Sequence, residues 1–465
     1  MSKAVVVAGG GLAGLFAALF MRLKYPAARI LVVERSSRLG GLYATFDYGD
    51  NGHFDCGMHW ITETGISAVD EMFFELLPFD QWHCLSGERR DLSGLFFKGR
   101  LQKHTQYPDL RAFDESEYRA YVADFFFNLQ HQKSPTTNTL FDYANNRFGA
   151  LIAERVIAPI AEKVHGFAVS ELAVMARRLP LLDRVTMFDE ETFSGLIDAP
   201  LLRNRLAFPE QRRLPLKYSS GIRSYYPKQY GISRIIDALL VRLRNLNIEL
   251  LTSSQISQLK RENRRVSHVV IESNTATETV DNVEALVWTA GSMPLSALLG
   301  MPLVGLPKPR RKTVIVSMLL KEPPQMGDLY CFFCADSPYS TYRITNFAAF
   351  CPDSVRATGY PICVELLVDT GIERSADDLA EQAKREILAF GLVSSPDDIC
   401  FARAEILQAG FPGMSCAVIE EVDRVRNAIV ELDIANLVHG GILSEPDLFF
   451  QPEVIADLYR KLDRL

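Results

Sequence analysis

The stretch AVVVAGGGLAGLFAALFMRLKYPAARILVVERSSRLGG, Ala4 to Gly41, decides the fold. Ala4 to Ala8 is short, apolar and valine-rich, as a strand buried on both faces requires. Gly9, Gly11 and Gly14 follow in a G-x-G-x-x-G pattern around Leu12 and Ala13. Each glycine has its own task. Gly9 permits a tight turn, Gly11 lets the backbone approach a pyrophosphate, and Gly14 lets the next helix pack closely on the strand. That helix, expected over Leu15 to Leu23, turns its N-terminal N–H groups and the positive end of its dipole toward the anion. Ile30 to Val33 reads as a second strand. It ends at Glu34, followed by Arg35, about twenty residues past the turn, where a carboxylate can accept both hydroxyls of a ribose. A lone glycine motif would say little, but strand, turn, helix, strand and acid in this order describe a dinucleotide-binding unit.

The chain around that unit has 465 residues, enough for two or three folding units. Hydrophobic residues make up 48% and charged residues 23%, the balance of a soluble globular protein. A net charge of −7 with no basic block argues against a general nucleic-acid binder. The eight cysteines are scattered, and only Cys331 and Cys334 form a C-x-x-C. No second pair or nearby histidine completes a zinc set, and the apolar flanks of CFFC read as a strand rather than a redox helix start, so no metal is expected. Free buried thiols suit a reducing cytoplasm. The N-terminus lacks the segment order of a secretory signal, and the longest apolar run, GLAGLFAALFM, is too short for a membrane span. The chain therefore reads as cytoplasmic, and its oligomeric state is not legible.

Beyond Glu34 the sequence SSRLGGL places Gly40, Gly41 and Leu42 just past the second strand, and DCGMH, Asp55 to His59, comes next. From Val5 to about Trp60 this pattern resembles the long fingerprint of the glutathione-reductase-like flavoproteins. Those include amine oxidases, protoporphyrinogen oxidases, phytoene desaturases and UDP-galactopyranose mutases. The resemblance implies FAD rather than a nicotinamide as the tightly held cofactor. It also implies a glycine pair under the pyrophosphate, and Gly57, Met58 and His59 near the flavin ring. The fold class it implies is α/β. A Rossmann-like FAD-binding domain would be assembled from residues 1–85, 216–300 and 412–465. An α+β substrate domain would comprise a helical cap at 86–215 and a mixed sheet at 301–411. Gln255 and Ile256 are then expected on the adenine side. Ala290 and Gly291 would form the turn out of the FAD domain, with Gly440, Gly441 and Phe449 near the flavin.

Local patterns fill in the rest. GLFFKGRLQ reads as a hairpin turning at Lys98-Gly99, while FGALIAERVIAPIAEKVHG and SELAVMARRLPLL read as helical. Ile232 to Leu246 is an amphipathic helix, and KTVIVSMLL, YRITNF and PICVELLV read as strands. A helix opens at Ser375 with acids in its first turn.

No G-x-S-x-G or H-E-x-x-H is present, and a flavin would supply the redox chemistry itself. His59 could hydrogen-bond the flavin, steer a proton or tether FAD; equally, it could be packed at a strand end and satisfied by backbone. Lys312 is the position where resemblance to amine oxidases implies a lysine holding a water near flavin N5; otherwise it is a solvated residue of the run PRRKT. Arg343, on an apolar-flanked strand, could grip a diphosphate bidentately, with Lys163 and His165 beside it by resemblance to the mutases. Two departures stand out: the Gly-Asp of oxidases reads Gly440-Gly441, and the Gly-Arg of mutases is missing too. The expected function is an FAD-dependent oxidoreductase. It would move hydride from a small-molecule substrate, in a glycan, nucleotide-sugar or secondary-metabolic setting, to flavin N5, with oxygen or another acceptor reoxidising it. A mutase-like isomerase and a non-catalytic FAD-binding paralogue are the alternatives.

Overall fold

The computed structural model describes residues 3–87, 92–131, 137–302, 305, 308–407, 411 and 413–465. The chain divides into two compact units, the first from Met1–Cys84, Ile222–Leu306 and Glu420–Leu465, the second from Leu85–Gly221 and Pro307–Ile419.

The first unit is built on a five-stranded sheet, in the order Ile248–Leu251, Arg29–Val33, Ala4–Ala8, Val283–Trp288, Leu437–His439. Every pairing is parallel. A parallel sheet is covered on both faces, which is why its central strand is continuously apolar and wholly buried. The helix after it, Leu12–Lys24, starts three residues earlier than its periodicity suggested, because Gly11 already serves as its N-cap with φ −74° and ψ 176°. An antiparallel three-stranded sheet, Ser254–Glu262, Arg265–Ser273 and Thr277–Asp281, packs Val266, Val269 and Ile271 against Leu286 and Trp288.

The second unit carries a seven-stranded sheet, in the order Ile399–Ile406, Arg311–Leu320, Tyr360–Asp369, Thr341–Asn346, Cys331–Cys334, Ser93–Phe97, Arg100–Gln102. It is mixed, since Cys331–Cys334 runs parallel to Ser93–Phe97 and the other pairs are antiparallel. Lys98 (φ 55°) and Gly99 (φ 74°) both take left-handed conformations, the two-residue turn that matches strand twist. The helix Ala376–Ala389 opens with a capping box between Ser375 and Asp378.

One helical reading is corrected and a second, which holds, is refined. SELAVMARRLPLL forms only the short turns Val169–Glu171 and Val174–Arg178. Leu172 between them accepts from the Leu140 N–H at 2.7 Å and bridges Ser415, while the Ala173 N–H donates to Met414 O at 2.9 Å. Backbone groups committed to other segments cannot close a helix. FGALIAERVIAPIAEKVHG is interrupted by a wider turn at Ala153–Ile157, just before Pro159, whose missing N–H breaks the ladder there.

Among the described residues no helix is long and apolar enough to cross a membrane. The capping box gives a direct stability test. Ser375→Ala should lower the unfolding free energy by about 1 kcal/mol in urea titration; an unchanged midpoint would show that the cap contributes nothing.

Candidate functional site

The glycine turn sits where three neighbouring parallel strands end. The Gly9 N–H donates to Val33 O at 2.9 Å, and Gly9 has φ +104°. A Cβ on Gly9 would lie 2.6 Å from Thr289 Oγ1, and one on Gly14 only 1.8 Å from Gly9 O. Both glycines are required by the protein's own packing. Gly11 is different: its φ suits any residue, and nothing lies within 4 Å of where its Cβ would stand. Gly40 donates to Gly10 O at 2.8 Å and bridges Gly11, while the Cβ position of Gly41 is nearest to Gly11 Cα, at 3.4 Å. Gly11, Gly40 and Gly41 thus lie together beside the N-terminal turn of the helix, Leu12, Ala13 and Gly14, with the Cβ position of Gly40 3.0 Å from Ile236 Cγ2. Leu42 follows it, 46% exposed.

At the end of the second strand, Glu34 accepts from the Gly10 N–H and the Ser36 N–H, each at 2.7 Å. The carboxylate is therefore pinned next to the turn, with Arg35 exposed beside it. Ser254 N donates to Glu34 O at 2.9 Å, which runs Gln255 and Ile256 past the same strand end. Across the turn, the Thr289 N–H and hydroxyl both donate to Ala8 O, at 2.8 and 2.9 Å. Ala290 and Gly291 (φ +88°) continue from there. The Gly440 N–H donates to Trp288 O at 2.9 Å, and a Cβ on Gly441 would stand 3.1 Å from Thr289 O. Three chain segments far apart in sequence therefore converge on one set of strand ends.

The FDCGMHW stretch bends at Gly57, φ 82°. Sequence reasoning missed the residue that anchors it. Asp55 is wholly buried and accepts from Tyr226 Oη at 2.5 Å and from the Ile232 N–H at 3.0 Å, at the start of the helix Ser233–Asn245. The Asp55 N–H in turn donates to Tyr230 Oη at 3.2 Å. Burial pushes the Asp55 carboxyl up to about 7, against the pull of the Tyr226 and Ile232 donors. Its place at the head of DCGMH, directly after Phe54, was the available signal.

Met58 and His59 are half-buried, and the His59 ring lies 5.2 Å from that of Tyr43. The Tyr43 hydroxyl donates to Trp60 O at 3.3 Å, and burial raises its pKa. Thr62 N donates to Gln451 Oε1 at 3.2 Å, and the buried Phe449 packs edge-on against Phe450. His439 was also missed, although it directly precedes Gly440-Gly441. Its Nε2 lies 3.2 Å from Ser292 Oγ, and burial pushes its pKa down to about 4, so it is neutral at pH 7.

The candidates in the second unit do not share a surface. Lys312 lies opposite Val368, on the helix-covered face of the sheet, in a groove of about 410 Å³ with Glu373, Arg374, Ser375 and Asp378. Arg343 lies on the other face and is held side-on by Glu365, Nε to Oε1 at 2.7 Å and Nη2 to Oε2 at 2.9 Å. Lys163 is spent on the fold: it donates to Cys334 O at 2.7 Å and Thr341 O at 2.9 Å, and burial lowers its pKa. His165 donates to Ala176 O at 2.9 Å, and burial holds it near 4.

With this geometry in place, the comparisons are informative. A family model for the NAD(P)-binding Rossmann-like domain matches residues 7–76. No curated protein matches the sequence. Among solved structures, a reduced UDP-galactopyranose mutase is similar at 16% identity and TM-score 0.75, over 100% of this chain and 95% of that one. A protoporphyrinogen oxidase-like protein from Exiguobacterium sp. 255-15 has 16% identity and TM-score 0.67, over 100% and 98%. An oxidoreductase from Methanosarcina mazei has 12% identity and TM-score 0.57, over 100% of both chains. At such identities the likeness is one of fold. The chain shares their fold and combines a Rossmann-like domain with a mixed sheet, in keeping with the flavoprotein resemblance of its first sixty residues.

Asp55 makes stability depend on pH. Its folded pKa of about 7 exceeds the ~3.9 of an unfolded chain, so the native state holds the proton more tightly. Its contribution is complete below about pH 4 and is lost as pH rises through about 7. Urea unfolding from pH 5 to 8 should show wild type losing stability relative to Asp55→Asn as pH rises. A constant difference between the two would contradict the raised pKa.

Proposed function

We propose that the chain is an FAD-dependent oxidoreductase that takes hydride from a small organic substrate. The supporting observation is Gly11. Gly9 and Gly14 are explained by contacts within the protein, whereas Gly11 has an ordinary backbone conformation and empty space where a side chain would go. A glycine with no internal reason keeps room for something external, and the end of a helix dipole favours an anion there.

The remaining residues fit FAD in an extended pose. Gly11, Gly40 and Gly41 would admit the pyrophosphate, with the N–H groups of Leu12, Ala13 and Gly14 facing it. Glu34 would accept ribose hydroxyls, with Arg35 and Leu42 alongside and Gln255 and Ile256 toward the adenine. Gly57, Met58, His59, Ala290, Gly291, Gly440, Gly441 and Phe449 would border the ring. When bound, FAD supplies the hydride acceptor. His59, beside the buried Tyr43, would hold or relay a proton at the ring edge, and His439, kept neutral, would add no charge next to Gly440. The extent of fold shared with the mutase supports a second reading, an isomerase acting on a nucleotide sugar with no net redox change.

The purified protein should be yellow, and anaerobic screening against amines, porphyrinogens, polyenes and nucleotide sugars should find a compound that bleaches the flavin band. Turnover only after chemical reduction, without electron consumption, would establish the isomerase. A colourless protein that binds NAD would overturn both readings.

Two glycine variants check the cofactor assignment separately. Gly11→Ala should weaken flavin binding at least tenfold while costing about 1 kcal/mol of stability or less. Gly14→Ala should destabilise the apoprotein by about 2–3 kcal/mol through the clash with Gly9 O. Equal effects of the two on stability would remove the argument from Gly11.

A further inference from the structure

Three short elements of the second unit bring arginines side by side. The helix Leu140–Phe148 opens with a capping box between Thr139 and Asp142, and Arg147 stands in its last turn, where a cation suits the helix dipole. Arg177 comes from the turn Val174–Arg178, and Arg205 follows the short helix Pro200–Arg203. Arg147 and Arg205 are locked to each other through backbone. Arg205 Nε donates to Arg147 O at 3.2 Å, and Arg147 Nη2 donates to the carbonyl of Asn204, the residue before Arg205. Arg147 Nε also donates to Asp183 O at 2.8 Å, and Arg205 Nη1 to Leu201 O at 3.1 Å.

Carbonyl oxygens hold these two guanidiniums in place but cancel no charge. The carboxylate of this group is Asp183, and its Oδ1 is taken by Tyr143 Oη at 2.7 Å and Arg177 Nε at 2.9 Å. Arg177 and Arg147 both lie over the Tyr143 ring, 5.1 and 5.5 Å from its centroid. Among the described residues neither Arg147 nor Arg205 has an ion-pair partner, and each spends only two N–H donors of its fork. Burial, and then the charge of Arg147, hold Arg205 below its ordinary pKa. Burial, with the charges of Arg184 and Arg177, does the same to Arg147 against the pull of Tyr143 and Asp183. Both arginines are half-buried, and Asn204 between them is exposed, so the pair stands at the surface. Fastening carbonyls is work that a neutral glutamine could share. Two positive forks set together without a carboxylate repel each other, and an anion from outside removes that cost.

The donors set the class of anion. Guanidinium forks match the oxygens of oxyanions and hold them by charge-assisted hydrogen bonds, and two positive charges match a dianion. We propose that Arg147 and Arg205 together bind a tetrahedral dianion of the phosphate type, either the free ion or a small phosphate monoester. All the residues involved belong to the second unit and none to the glycine turn, so the site does not rest on the oxidoreductase reading.

Isothermal titration calorimetry on the full-length protein tests the site, with inorganic phosphate and phenyl phosphate as probes and ionic strength held constant with sodium chloride. Wild type should bind phosphate saturably at one site, and Arg205→Gln should weaken that binding at least tenfold. Because Arg205 also fastens backbone, a second variant keeps the test valid if the first misfolds. Asn204→Asp places a carboxylate next to both forks; it should weaken phosphate at least fivefold without lowering the thermal midpoint. The tighter of the two probes identifies the source, free phosphate or a monoester. The proposal is overturned if neither probe binds saturably or if either folded variant binds like wild type. It is equally overturned if Arg205→Gln loses flavin together with phosphate, which would place these arginines in the cofactor site.

Discussion

The first unit depends on the contact between the end of its central strand and the helix that follows. With a side chain on Gly14, its Cβ would stand 1.8 Å from Gly9 O, so strand and helix can meet at this angle only if position 14 is glycine. That closeness sets where the helix N-terminus points, while nothing lies within 4 Å of the Cβ position of Gly11. Thr289 extends the same constraint, lying against Gly9 on one side and Gly441 on the other. The turn is thus defined less by functional groups than by positions from which side chains have been removed.

A domain assembled from three separate segments needs ties between them, and these are buried polar residues. Asp55 joins the early FDCG bend to the helix start at Ile232. Asn436, 1% exposed, donates to Val266 O at 2.9 Å and Val283 O at 2.8 Å and accepts from the Val266 N–H at 2.8 Å, fastening the last strand to the preceding sheets. Such residues replace the continuity that the chain itself lacks. In Asp55 the cost is a carboxyl held away from water, with its pKa pushed up by burial.

The second unit separates its tasks by strand alternation. One face binds a helix through aliphatic packing, and the other carries hydroxyls, thiols and a closed ion pair. Lys312 and Arg343, both singled out from sequence, fall on opposite faces for this reason. Arg343 illustrates how a local signal can be true and incomplete. An arginine on an apolar strand does need a special reason, but the reason found is Glu365, twenty-two residues later on the adjacent strand.

Sequence by itself determined the strand, glycine turn, helix and acid of the first forty residues, the hairpin at Lys98-Gly99 and the Ser375 cap. These depend on interactions among neighbours in the chain, where residue type and spacing carry the information. Short-range pattern failed at SELAVMARRLPLL, whose backbone is taken up by partners such as Met414 and Ser415. Only the tertiary structure decided which glycines the protein's own packing requires, what holds Asp55, and which polar residues share a buried face. Those depend on atoms distant in sequence and close in space, and on the pairing register of strands, which no local spacing encodes.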